Sequence, residues 1–335
     1  MNLITGVTGL VGAQLARRLV ANGEPVRGLK RASSSLDLLG DAVNRIEWVE
    51  GDVTDIFSLE EAMRGVSKVY HAAAMISFSA KDADHMMKIN VEGTANLVNI
   101  ALEAGVEHAL LVSSVAAFGV SHRQGALIDE SFDARDAGNN YTYFRSKLHA
   151  EREWWRGIAE GMRGNILSPG TILGGGFWVN QPNNLFDAVY KGYPFYTTGG
   201  NGFVDVRDVV SAAIQISNST RQGEKFIAVA ENQTFQFVLS AIAAQYKKKA
   251  PSIELNAFLA AAAWRLESVK SALTGSSPLI TKESARLTRE IYRYSSEKLK
   301  KELGFKFRPL QQTIADVAAL YLRSHQENKS FGILE

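Results

Sequence analysis

The chain has 335 residues, 46% of them hydrophobic and 21% charged, with a formal charge of +2. That length can bury a full core in one large domain or two lobes, and the near-neutral balance gives no support to a nucleic-acid partner. The absence of cysteine excludes disulfides, thiolate metal sites and cysteine nucleophiles, and it fits a reducing compartment. A first strand begins within a few residues of Met1, leaving no room for a signal peptide. The longest apolar run, Ala257 to Trp264, is far short of a bilayer span. A cytoplasmic protein with no membrane partner is expected.

The first predicted element is a short buried strand, Leu3–Thr5. It runs into Gly6-Val7-Thr8-Gly9-Leu10-Val11-Gly12, three glycines at a spacing of three, and then into a helix over Gly12–Ala21. Such a strand-to-helix turn needs positions where the backbone takes φ > 0 or approaches a ligand closely, which glycine supplies. The free amides and partial positive charge at the helix start suit a pyrophosphate. The plainer reading is a tight turn packed on the sheet. The next strand, Pro25–Leu29, ends in Lys30-Arg31, with no acid before Asp37. In dinucleotide folds a carboxylate here binds the ribose 2′-hydroxyl, whereas arginine accommodates a 2′-phosphate. The pair favours NADP(H) over NAD(H), unless it is only a solvated basic strand end. A third strand, Ile46–Glu50, leads into Gly51-Asp52-Val53. There Asp52 is either an acceptor for an adenine amino group or a turn and helix cap.

A helix over Ser58–Met63 and a strand over Lys68–Ala72 come next. The strand carries His71 and ends in Ala72-Ala73-Ala74, small residues that let the backbone pass close to a flat ligand. His71 reads as a packed strand residue rather than a base. No His/Asp/Glu cluster has metal-ligand spacing, so no metal is expected. Helices over Ala83–Glu103 and Tyr143–Glu160 alternate with strands over Ala109–Ser113 and Gly164–Leu167. The pattern predicts an α/β fold: a Rossmann-type doubly wound parallel sheet, with ligands at the carboxyl ends of its strands.

Tyr143-Phe144-Arg145-Ser146-Lys147 opens the long helix. A spacing of four puts Tyr143 and Lys147 on one face. A free phenol titrates near 10, and an adjacent ammonium lowers that value toward working pH. Ser113 and Ser114 end the preceding strand, where a hydroxyl can hold a substrate carbonyl oxygen that Tyr143 protonates.

Beyond Pro169 the character changes. Residues 173–202 are rich in glycine, asparagine and aromatics, which reads as irregular structure around a pocket. A strand over Lys225–Ala230 returns to the sheet, and the remainder is mostly helical. The expected division is a dinucleotide-binding domain of 1–170 and 203–232, with 171–202 and 233–335 forming a smaller, mostly helical substrate lobe. Phe177, Trp178, Tyr193, Phe195 and Tyr196, with Met75 and Phe78, are either an aromatic pocket wall or ordinary lobe packing.

Taken in order, Gly6-x-x-Gly9-x-x-Gly12, Asp52-Val53, Asn90-Val91-x-Gly93-Thr94, Ser113-Ser114 with Phe118-Gly119, Tyr143-x-x-x-Lys147 and Ser168-Pro169-Gly170-Thr171 resemble the extended short-chain dehydrogenase/reductases. Lys30-Arg31 and Tyr294 to Ile314 are similar to the dihydroflavonol-4-reductase-like members, near relatives of the 3β-hydroxysteroid dehydrogenases. The resemblance implies that Gly9 to Gly12 cradle a pyrophosphate and that Tyr143 is the acid/base. It implies that Lys147 binds the nicotinamide ribose, that Ser114 polarises the carbonyl, and that Pro169, Gly170 and Thr171 line the nicotinamide. Nucleotide-sugar epimerases of the same branch tend to carry an arginine before the Val-x-Asp motif. Here Gly200 to Asp208 lacks it. The leading expectation is an NADP(H)-dependent oxidoreductase, monomeric or homodimeric, acting on a carbonyl or secondary alcohol of a small, apolar or aromatic molecule. The alternatives are a sugar-nucleotide epimerase or dehydratase with bound NAD, and a non-catalytic dinucleotide sensor.

Overall fold

The computed structural model describes residues 1–119, 125–132, 141–178, 185–256, 259, 264 and 287–335. The chain opens β1 (Asn2–Thr5), α1 (Leu10–Ala21), β2 (Val26–Lys30), β3 (Ile46–Glu50), α2 (Ile56–Met63) and β4 (Lys68–His71). Then come α3 (Ala83–Met87), a π-helical turn (Lys88–Glu92), α4 (Gly93–Glu103), β5 (His108–Val112), β6 (Leu127–Ile128), α5 (Thr142–Ala159) and β7 (Gly164–Pro169). The second half holds β8 (Thr171–Leu173), α6 (Leu185–Tyr190), β9 (Phe195–Tyr196), β10 (Gly200–Asp205), α7 (Val206–Ser217), β11 (Lys225–Ala228), β12 (Glu231–Thr234) and α8 (Phe235–Gln245). It closes with β13 (Ile253–Glu254), β14 (Arg293–Tyr294), α9 (Glu297–Leu303) and α10 (Leu310–Gln326).

Seven strands form one parallel sheet in the order β11-β7-β5-β4-β1-β2-β3. The central strands β5 and β7 are buried along their whole length because both faces are covered. Side chains alternate between faces: Ile4, Leu110 and Leu167 join a core with α1 and α7. Leu3, Leu111 and Ile166 join the opposite core, with Leu59 of α2, Leu97 of α4 and Trp154 of α5. The chain proceeds from β1 outward through β2 and β3, then returns to the other side of β1 as β4. Strand order therefore reverses between β1 and β4, where open α/β sheets bind ligands. The first βα turn lies there.

The strands fall where the sequence places them, and β11 returns as a parallel edge. The one long helix expected over 83–103 differs, because a π-turn interrupts it at Lys88–Glu92. That turn carries Asn90, whose buried side chain is fully used: Nδ2 donates to the Met75 carbonyl (2.9 Å) and Ser146 Oγ (3.0 Å), and Oδ1 accepts from the Met75 amide (2.7 Å). The widened turn thus ties the segment after β4 to α5. A second sheet, β12-β10-β8, and helices α6, α8 and α10 surround a separate core that includes Trp178, Ile242 and Tyr321. Among the described residues no helix is long and apolar enough to cross a membrane.

Candidate functional site

The glycine turn is built by contacts within the chain. Gly6 has φ +68°, and a Cβ there would stand 2.6 Å from the backbone of Ala72 and Ala73. The β1–α1 turn therefore passes directly over the end of β4. A Cβ on Gly12 would meet the Gly6 carbonyl oxygen at 2.2 Å, so helix and turn pack without a side chain between them. Gly9 is exposed, and its Cβ would meet only the Gly6 oxygen, at 3.4 Å. Among the described residues only the Gly6 oxygen comes within 4 Å of that position. As N-cap of α1, Gly9 offers no side-chain cap, and the first turn has no acid. Free amides facing open space suit an anion, so these residues fit the pyrophosphate of a dinucleotide. Thr8 lies half-buried in the turn, and Leu10 and Val11 lie half-buried at the helix start.

Arg31 is exposed at the end of β2. Lys30 has an acid nearby that its own segment does not contain: the β2–β3 register places Glu50 opposite, with 3.9 Å between the charges. Glu50 is largely exposed, so the pair is weak. Asp52 Oδ1 accepts from the amide (3.0 Å) and hydroxyl (2.8 Å) of Thr54, which makes it a turn-former with its second oxygen left over. The Val53 side chain is buried against Gly93 of α4, so only its main chain is offered to a ligand. Ala72 and Ala73 are half-buried and Ala74 exposed along the opening after β4.

Tyr143 and Ser114 come together, and Lys147 lies one helical turn along α5 from Tyr143. The Ser114 hydroxyl is near enough to act on the Tyr143 phenol, and Phe78 sets its ring edge-on to Tyr143 at 5.8 Å. Lys147 is buried, with Nζ donating to the Val112 carbonyl at 3.3 Å. Burial moves the Lys147 ammonium down to about 8, while Glu151 pulls it back up. The expectation that Lys147 lowers the phenol is corrected here. Burial pushes Tyr143 up from its usual value, and the opposing influence is the Ser114 hydrogen bond. His71 is the packed strand residue expected: Nδ1 meets Thr5 Oγ1 at 2.6 Å, Nε2 meets Thr94 Oγ1 at 3.0 Å, and the ring stacks on Trp154.

Other expected contacts are redirected. The Ser113 hydroxyl donates to Glu151 Oε1 at 2.5 Å, so it is committed to the core rather than to a cofactor. Gly170 is glycine because β10 lies on it, a Cβ there falling 2.4 Å from the Gly202 carbonyl oxygen. Thr171 Oγ1 accepts from Asn201, and Pro169 ends β7 opposite Ala228. Among the aromatics, Phe177 packs on Phe331 against the core under α1 and α7, and Trp178 packs on Tyr321 in the separate core. Tyr193 and Phe195 pack on each other. Glu151 escaped the sequence reading, although Tyr143, Lys147 and Glu151 at spacings of four form one stripe along α5. A cavity of about 490 Å³ lies between α5 and β11, lined by Glu151, Trp155 and Lys225 among others, away from Gly9 and Tyr143. No cluster of three metal-ligating side chains occurs among the described residues.

Comparison with known proteins agrees with this geometry. Residues 2–230 match the NAD dependent epimerase/dehydratase family. A protein of Synechocystis sp., provisionally named a dihydroflavonol 4-reductase, is 31% identical over 96% of this chain and 94% of its own. A Mycobacterium tuberculosis 3 beta-hydroxysteroid dehydrogenase/Delta 5-->4-isomerase is 31% identical over 57% of this chain and 52% of its own. The crystal structure of gox2253 superposes with a TM-score of 0.80 at 31% identity, covering 97% of this chain and 98% of that one. DesIV, a dTDP-glucose 4,6-dehydratase of Streptomyces venezuelae solved with NAD bound, shares the fold with a TM-score of 0.79 at 18% identity, covering 97% and 98%. The chain belongs to the NAD dependent epimerase/dehydratase family, the extended short-chain dehydrogenase/reductases, and is an NAD(P)-dependent oxidoreductase.

Proposed function

We propose that the protein is an NADP(H)-dependent reductase that interconverts a carbonyl and a secondary alcohol on a small apolar or aromatic substrate. The observation that carries this reading is Ser114, just past β5, acting on the Tyr143 phenol, with Lys147 one helical turn along α5, in a sheet whose order reverses between β1 and β4. When bound, the dinucleotide supplies hydride chemistry at its nicotinamide ring; the proton steps fall to the chain. Tyr143, raised by burial, is protonated at neutral pH and donates to the substrate oxygen. Ser114 holds that oxygen and, by donating to the phenolate left behind, makes the proton easier to release. Lys147 stays mostly ammonium at neutral pH and stands ready for the ribose hydroxyls. Exposed Arg31, with Lys30 beside it, supports a 2′-phosphate. Phe78 against Tyr143 supports an apolar substrate.

The sugar-nucleotide reading has weaker support. Lys191 is the sole cation in 173–202, and Asp187 holds it at 2.7 Å, away from the role of clamping a diphosphate. We assign 1–170 and 203–232 to cofactor binding and 171–202 with 233–335 to the substrate lobe, in a cytoplasmic protein.

The test is a screen of aldehydes, ketones and secondary alcohols for cofactor oxidation or reduction, followed by single-turnover measurements. Tyr143→Phe should slow the chemical step about a hundredfold or more while cofactor affinity stays within a few-fold. Arg31→Ala should weaken NADPH binding by about 1–3 kcal/mol and leave NADH binding nearly unchanged. A full rate in Tyr143→Phe, or equal affinity of the unaltered protein for the two cofactors, overturns the respective part.

A further inference from the structure

We propose that Glu151 is a positioning residue of this site: its buried carboxylate fastens three strands to α5 and places a negative charge one helical turn beyond Lys147. The proposal rests on reading Tyr143 as the proton donor and Lys147 as the cation that meets the ribose.

Glu151 is 3% exposed, and each of its oxygens is engaged. Oε1 accepts from Ser113 Oγ at 2.5 Å and from Ser168 Oγ at 3.4 Å, and Oε2 meets Lys225 Nζ at 2.7 Å. A carboxylate this deep is accommodated only when paired and hydrogen-bonded. Its partners come from the end of β5, from β7 and from β11. Two of them adjoin residues placed in the site, Ser113 beside Ser114 and Ser168 beside Pro169. The third, Lys225, also rests over the ring of Phe118, 3.6 Å from its centre, in the turn that Ser114 caps. One carboxylate on α5 thereby sets the distance between the helix that carries Tyr143 and the strand end that carries Ser114.

The charge matters as much as the bonds. Lys147 lies one helical turn before Glu151, so deep that burial alone drives it toward the neutral form, and Glu151 opposes this. The other titratable groups around it do not. Tyr143 is protonated, and His71 from β4 is neutral because burial and Lys147 drive it to about 3. Lys225 from β11 is turned to Glu151 and competes for its charge.

The experiment is a titration of ε-13C-lysine-labelled protein by NMR, with the Lys147 signal identified by its loss in Lys147→Met. Glu151→Gln keeps the volume and removes the charge, so Lys147 should titrate at least one pH unit lower. The alkaline fall in NADPH binding should move to lower pH with it. Ser113→Ala removes a hydrogen bond and keeps the charge; it should leave Lys147 within a few tenths of a unit while lowering turnover. If Glu151→Gln does not fold, Lys225→Met serves instead and should raise the Lys147 value, because the competing cation is gone. An unmoved Lys147 in the variant measured, or an equal drop in Ser113→Ala, overturns the proposal. The lysine titration needs no substrate, so a protein that reduces no carbonyl would defeat the functional reading and leave this measurement standing.

Discussion

A Cβ on Gly12 would stand 2.2 Å from the Gly6 carbonyl oxygen, whereas one on Gly9 would meet that oxygen only at ordinary contact distance. The three glycines that read as one motif therefore answer to different demands. Gly6 and Gly12 are required by the chain itself, Gly6 also by its positive φ. Gly9 has an extended backbone that any residue adopts and only the Gly6 oxygen near its Cβ position, so on the proposed reading its constraint is the dinucleotide. Gly12→Ala should cost about 1–3 kcal/mol from overpacking against backbone that cannot move aside. Gly9→Ala should melt within about 0.5 kcal/mol of the unaltered protein, as surface substitutions do. It should nonetheless lose at least tenfold in dinucleotide affinity, roughly 1.4 kcal/mol. A denaturant melt beside a fluorescence titration of NADPH checks both. Unaltered binding in Gly9→Ala would mean that the turn is only structural. Spacing alone could not make this division, because it depends on which backbone atoms from β4 and β1 approach each glycine.

At the scale of elements, the segment Asp205-Val206-Arg207-Asp208 entered the sequence reading only through an arginine missing ahead of it. In the fold it joins β10 and α7 to the C-terminal helices. Asp205, 1% exposed, caps α7 through the Arg207 amide (2.7 Å) and accepts from Thr313 Oγ1 of α10 (2.9 Å). The Arg207 guanidinium spans Asp205 Oδ2 (2.7 Å) and Asp316 Oδ2 of α10 (2.6 Å). Asp208 accepts from the Arg308 amide at 2.7 Å. These partners lie about a hundred residues away, beyond the reach of any local pattern, whereas α5 announced its face through spacings of four. Removing one member of a buried ion pair strands the other charge, and the penalty is about 3–5 kcal/mol. Arg207→Ala should destabilise the protein on that scale, because Asp205 has no solvent to turn to. Arg207→Lys should fall between, keeping the charge while losing the two-carboxylate fork. Equilibrium urea unfolding measures the difference; a change below about 0.5 kcal/mol in Arg207→Ala would refute the role given to this clamp.

For the molecule as a whole, the sheet was legible because each strand is a short apolar run between helical patterns, and the parallel order follows from alternation. The lobe was less so. Residues beyond Pro169 pack through pairs such as Trp178 with Tyr321 and Phe177 with Phe331, contacts between segments far apart that composition can suggest only as aromatics near a pocket. Burial inside the sheet has a consequence that the sequence does not display. His71 and His108 sit on adjacent strands, driven down to about 3 and about 4, in each case chiefly by burial and then by nearby cations. In the unfolded chain both titrate near 6.5. Above that value both states carry neutral imidazoles and no pH dependence arises from them. Between 6.5 and 4 the unfolded chain takes up two protons that the native one refuses, so stability falls as the pH drops. The melting temperature should accordingly be level from pH 7.5 to 6.5 and decline from 6.5 to 5, a range above the usual carboxylate values. His71→Gln and His108→Gln should each flatten that decline, whatever their effect at pH 7.5, since each removes one of the two protons. Differential scanning calorimetry at half-unit steps gives the slope, and a slope unchanged in both variants would place the acid sensitivity in other groups.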